Sequence, residues 1–162
     1  MRKYVGVHNV MGVRVDNWEE ILSSELRKKR QFVRGESDCV YFALSLVKAI
    51  TNIDITVSIK EEYGEYKTKL GYKKLIMDHW EKYGKSRMVE PSIYGVINYL
   101  CSKESFPEIS PNLSQRGDLV MTILRNEYAL GIKVGQGACF IAYDGTCVER
   151  PTSELIHAWA IR

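Results

Sequence analysis

The hydrophobic periods along this chain predict an α+β fold, with helices first and an antiparallel sheet after them. From Asp16 to about Lys103, apolar residues recur mainly at three- and four-residue steps; from Gly117 onward they fall into short runs separated by turn-forming residues. Helical and strand patterns are segregated along the chain instead of alternating, which argues against a βαβ sheet. At 162 residues the chain has the length of one domain able to bury its own core, so residues 1–162 are read as a single unit.

The first segment, 1–16, reads as an extended arm or short hairpin, with Val5, Val7, Val13 and Val15 around a His8-Asn9-Val10-Met11-Gly12 centre. From Asp16 to about Gln31, Asp16 or Asn17 caps a helix carrying Trp18, Ile21, Leu22 and Leu26 on one face, with basic residues gathering at its C-terminal end. Gly35-Glu36-Ser37-Asp38 breaks the chain and offers Ser37 or Asp38 as the N-cap of a second helix, Cys39 to about Ile50. Its apolar residues Phe42, Ala43, Leu46, Val47 and Ile50 cover so much of its surface that it belongs at the centre of the fold. Residues 59–83 carry helical spacing in Leu70, Leu75, Ile76 and Trp80, interrupted by Gly64 and Gly71 into two pieces. Residues 92–103 form a further helix through Ile93, Val96, Ile97 and Leu100.

Five β-rich segments follow, at 118–124, 128–134, 138–143, 146–150 and 155–161. Arg125-Asn126-Glu127, Gly135-Gln136-Gly137 and Asp144-Gly145 link them as tight reversals.

Composition narrows the classes of function. Hydrophobic residues make up 45% and charged residues 27%, and the net charge is +3, as in ordinary globular proteins. No helix carries a one-sided basic stripe, and Arg27-Lys28-Lys29-Arg30 is a short run at a helix end, so nucleic acid is not expected as a partner. No segment approaches the ~18 apolar residues of a membrane span, and the N-terminus lacks the apolar core of an export signal. Cys39, Cys101, Cys139 and Cys147 form no CxxC pair, which fits reduced thiols better than zinc or a disulfide framework; no metal or other cofactor is expected. Ten tyrosines against four phenylalanines, several of them within 63–99, mark either an interface or amphipathic helix faces.

Cys39 is the candidate nucleophile. In the first turn of a helix, unpaired N–H groups and the helix dipole favour an anion, and so a reactive thiolate. Against this, a free cysteine also serves as a small buried apolar residue, and Glu36 and Asp38 place negative charge nearby that opposes ionisation.

The segment Gly35-Glu36-Ser37-Asp38-Cys39-Val40-Tyr41-Phe42-Ala43 resembles the Asp-Cys motif that opens the nucleophile helix of NlpC/P60 peptidases, within the papain-like superfamily. Arg116-Gly117-Asp118-Leu119-Val120 is similar to that family's Gly-Asp-Leu-Val strand. Ala129-Leu130-Gly131-Ile132-Lys133-Val134-Gly135 is similar to its next strand, usually His-Val-Gly-Ile-Tyr-Val-Gly. The span from Trp18 to Trp159 resembles a phage- and prophage-encoded branch of the superfamily. The resemblance implies a papain-like half-barrel, with helices packed on a C-terminal antiparallel sheet.

The family's mechanism requires a histidine facing the cysteine, to take its proton and return it to the leaving amine, and a third polar residue to orient the ring. Alignment on Gly131 and Gly135 puts Ala129 at the histidine position and Ile141 or Ala142 at the third. His157, on the last expected strand with Leu155, Trp159 and Ile161, is the candidate for a relocated base; His79 reads as a surface residue, and Cys101, Cys139 and Cys147 read as core.

The resemblance therefore implies a catalytically degenerate phage protein, associated with the virion tail or neck or with assembly. Its partners would be other phage structural proteins or further copies of itself, and its location the virion or the host cytoplasm. The alternatives are an active cysteine peptidase or amidase acting on peptidoglycan peptides through Cys39 and His157, and a module that binds a small ligand or host protein in the old cleft.

Overall fold

A computed structural model describes residues 12–162, and five helices there precede a six-stranded sheet. The fold is α+β, as the segregated periods predict. Most of the arm expected over 1–16 lies outside the described residues, as does His8.

Helix α1 (Trp18–Leu26) stops before the basic run, so Arg27 to Arg30 lie beyond it. Helix α2 (Cys39–Thr51) begins at Asp38, whose side chain accepts from the N–H groups of Val40 and Tyr41, satisfying two of the donors a helix start leaves unpaired. Val40, Phe42, Ala43, Leu44, Leu46, Val47 and Ile50 are all buried, because α2 packs between α1 on one side and the sheet on the other. Each of the larger side chains contributes roughly 1.5–3 kcal/mol through removal of its apolar surface from water.

The expected 59–83 helix is two pieces, α3 (Ile55–Tyr63) and α4 (Lys69–His79), and the break falls at Gly64. Gly71 lies inside the first turn of α4, where its N–H reaches the Thr68 cap. Asp54 caps α3 and starts it four residues earlier than the spacing predicted. Leu70, expected on the buried face, is exposed at the start of α4. Helix α5 (Ile93–Lys103) is capped by Ser92.

The strands are β1 (Glu108–Ile109), β2 (Leu119–Leu124), β3 (Glu127–Lys133), β4 (Gly137–Ile141), β5 (Cys147–Pro151) and β6 (His157–Trp159). All neighbours are antiparallel, in the order β1-β6-β2-β3-β4-β5. The chain thus returns from β5 at one edge to insert β6 between β1 and β2.

Pairing is uneven, and the unevenness makes the site. Strands β2 and β3 are in register from Leu119↔Ile132 to Leu124↔Glu127, joined by the two-residue turn Arg125-Asn126 with both φ angles positive (51° and 64°). Strands β4 and β5 pair from Gly137↔Pro151 to Ile141↔Cys147. Between the two hairpins, β3 and β4 pair only at Ile132↔Cys139 and Lys133↔Ala138. Beyond those rungs the hairpins diverge and leave an opening toward the first turn of α2.

At the other end of the sheet, the buried Asp118 side chain accepts from the N–H groups of Gln115 and Ile161 and pairs with Arg14 and Arg162. The Gly-Asp pair of the 116–120 motif is therefore a tie between β2 and the two ends of the described chain.

Candidate functional site

The opening between the hairpins is a cavity of about 170 Å³. Cys39 lines it, together with residues of the β2–β3 hairpin end (Leu124 to Ala129) and residues of the β4–β5 hairpin (among them Ile141, Ala142 and Tyr143). Phe32, Arg34 and Tyr72 complete the wall from the helical side. Ala129, Ile141 and Ala142, the positions the motif alignment assigned to the histidine and its orienting partner, share this cavity with the cysteine.

Asp38 fixes the thiol in place. Besides capping α2, its carboxylate accepts from Gly35 N–H at 2.9 Å and from the Tyr66 hydroxyl at 2.7 Å. Gly35 is needed for this loop: its φ is +80°, and a Cβ there would sit 1.7 Å from the Tyr66 carbonyl oxygen. Of the two caps the sequence offered, Asp38 is the one used; Ser37 instead donates to the Gln31 carbonyl.

The electrostatics oppose a thiolate. Cys39 is half-buried and opens into the cavity while protein encloses it on its other sides; desolvation, aided by the charge of Asp38, pushes the thiol up to about 11. A backbone hydrogen bond from Leu130 and the charge of Arg34 act in the opposite direction without reversing it. The helix start that would stabilise an anion is thus outweighed by burial and by its own capping carboxylate.

His157 is not part of the cavity lining. Its Nδ1 lies 2.8 Å from Glu108 Oε1, and its ring stacks on Tyr94 with centroids 3.9 Å apart. Strand β2 separates β6 from β3, and the ring of Tyr128, which lines the cavity, is 6.4 Å from the imidazole by centroids. The structure therefore packs Ile141 and Tyr128 in the same apolar cluster as Cys39, while Ala129, which also lines the cavity, packs with Val120, Ala138 and Phe140 on the opposite face of the sheet, and His157 sits in a separate niche.

Two other expectations are corrected. His79 is buried, not at the surface: it lies one helical turn after Leu75 on the inward face of α4, 2.6 Å from the Tyr63 hydroxyl. Burial holds its imidazole below the ordinary value, and its Nδ1 shares a hydrogen bond with the Tyr63 hydroxyl. Cys147 is exposed, because β5 is an edge strand; Cys101 and Cys139 are buried as expected. A hydrogen bond from the Cys139 thiol lowers the Cys147 pKa, so Cys147 and not Cys39 is the more acidic thiol.

The tyrosines of 63–99 turn several hydroxyls inward. Tyr99 donates to Glu62 and meets the Tyr83 hydroxyl, and both rings pack on His79. This gives them an internal role on helix faces.

Arg34, Tyr72, Arg125, Tyr143 and Arg150 line the cavity and were not singled out in the sequence. Arg34 and Arg125 lie in a loop and a turn, where periodicity carries no information about facing; only their nearness to the Asp38-Cys39 motif and to Ala129 could have flagged them. Among the described residues, no group of three or more His, Cys, Asp or Glu side chains is placed to hold a metal ion, and no helix is long and apolar enough to cross a membrane.

The model of a domain of unknown function, DUF6950, matches residues 13–161, and the chain belongs to that family. No curated protein matches it.

Proposed function

We propose that this member of the DUF6950 family is a hydrolytically silent, NlpC/P60-like domain of a bacteriophage, which serves as a virion-associated or assembly protein and acts by binding instead of cleavage. One observation carries the silent part of the reading. The cavity at Cys39 holds a thiol pushed up to about 11, no histidine among the described residues lines it, and its one lining carboxylate, Glu127, is paired with Lys69. A cysteine hydrolase needs both an ionised sulfur and an acid to protonate the departing amine, and loss of one such partner removes most of the activation. The phage setting is supported by the motif order from Trp18 to Trp159 described above.

Two measurements test the reading. Incubation with peptidoglycan stem peptides, followed by mass spectrometry, is expected to show no product above a Cys39→Ala control; cleavage that disappears in that control would overturn the silent reading. Proteomics of particles released by the strain that carries the gene is expected to find the chain at a fixed stoichiometry to other virion proteins. Its absence from particles and from assembly intermediates would overturn the structural role.

A further inference from the structure

The cavity lining carries more positive charge than its neighbours neutralise. Three guanidinium groups (Arg34, Arg125 and Arg150) and one carboxylate (Glu127) line it. Arg150 is engaged by Glu154 at 3.4 Å and by the Glu149 carbonyl. Glu127 is engaged by Lys69 at 3.0 Å and accepts from the Tyr143 hydroxyl at 3.4 Å. Arg34 and Arg125, in contrast, have neither a carboxylate nor a carbonyl partner among the described residues.

Both free guanidiniums are held against the wall. Arg34 lies over Phe32 and Tyr72, 5.2 and 5.3 Å from their centroids, and Arg125 lies over Tyr143 at 5.1 Å. Stacking on aromatic faces restrains the planar group while leaving its N–H edges open, an arrangement suited to a planar two-oxygen anion. Below them the wall is apolar, formed by rings and by Ala129, Ile141 and Val148. A volume of about 170 Å³ accommodates a group of roughly the size of a benzene ring.

We infer that this cavity binds a carboxylate carried on a compact apolar group, with the carboxylate held by Arg34 and Arg125 and the apolar part seated beside Cys39, Ala129 and Ile141. The inference rests on the reading of the site as one that binds and does not cut. Two sources present this chemistry: a small free acid, and the C-terminal residue of a peptide ending in an aromatic or branched side chain.

Calorimetric titration of the full chain with 3-phenylpropionate, its neutral amide, acetate, phenyl phosphate and the dipeptide Ala-Phe tests it. The expected result is binding of 3-phenylpropionate and Ala-Phe with Kd on the order of 1 mM or tighter. The amide and acetate are expected to bind at least about tenfold more weakly, since each lacks half of the recognition. A tenfold preference between 3-phenylpropionate and Ala-Phe, in either direction, identifies the source. Arg34→Gln and Arg125→Gln are each expected to weaken the acid severalfold and leave the amide unchanged. Val148→Phe, which enlarges a side chain of the cavity wall, is expected to abolish binding, with circular dichroism confirming the fold of each variant. Equal affinity for acid and amide, tighter binding of phenyl phosphate, or no binding by either acid would overturn the inference. Cys39-dependent cleavage of stem peptides would instead overturn the silent-domain reading and leave these affinities standing, so the two failures are distinguishable.

Discussion

Around Cys39 the chain has built a cavity with a thiol and, among the described residues, no histidine in its lining; around His157 it has built a niche with an imidazole, a carboxylate to orient it, and no thiol. Both face the helical side of one sheet, yet β2 and the ring of Tyr128 lie between them. The His157–Glu108 pair has the geometry of an oriented imidazole, 2.8 Å from nitrogen to oxygen, but Tyr94 covers its ring and also donates to Glu108. What the comparison teaches is that catalytic residue types on one face of a fold do not make a site; the proton acceptor has to share the thiol's cavity.

The comparison can be broken most severely at Asp38. This buried carboxylate accepts four hydrogen bonds, from Gly35, Val40, Tyr41 and Tyr66. Asp38→Ala would orphan those donors and uncap α2, and a loss of about 2–4 kcal/mol in denaturant unfolding is expected. A loss below ~0.5 kcal/mol would show that the loop does not depend on this cap.

A second variant sharpens it by moving a base into the cavity. Tyr128→His places an imidazole at a cavity-lining position that packs in the same apolar cluster as Cys39, and alkylation of Cys39 near neutral pH is expected to rise by at least about tenfold. Rates unchanged from the parent chain would show that an imidazole on this wall does not reach the sulfur.

The opposite change, His157→Ala, should remove only packing and one hydrogen bond. An unfolding cost of roughly 0.5–1.5 kcal/mol is expected, together with an unchanged rate of Cys39 alkylation; a slower rate would tie the two niches together. The smallest expected effect belongs to His79. Because burial holds its folded pKa below the ordinary 6.5, the unfolded chain binds a proton that the folded chain resists. Its contribution to stability is thus complete above about pH 6.5 and declines as pH falls toward the lower folded value. Melting curves between pH 7 and pH 5 should show this decline, and it should flatten in His79→Gln.

Much of this arrangement was legible in the chain. The Asp38 cap, the apolar surround of α2 and the turn chemistry of Arg125-Asn126 are local signals, and they placed the helix and the hairpins within a few residues. What escaped was non-local. Strand β1 has two residues and exists only because β6 pairs with it, and the insertion of β6 beside β2 follows from no local pattern. His79 was misread from its charged neighbours although its four-residue spacing from the buried Leu75 was available. Cys147 was misread because alternation does not tell an edge strand from a central one. The arginines of the cavity sit in a loop, a turn and that same edge strand, where side-chain direction depends on how the two hairpins part.

The central claim is that Cys39 is held as a neutral thiol. Residue-resolved mass spectrometry of iodoacetamide labelling across pH 5–12 tests it directly, with Cys147 as an internal reference for an accessible, acidic thiol. The expected outcome is early labelling of Cys147 and a Cys39 rate that rises through an inflection near about 11. An inflection for Cys39 below about pH 8, in the range of activated cysteines, would contradict the account.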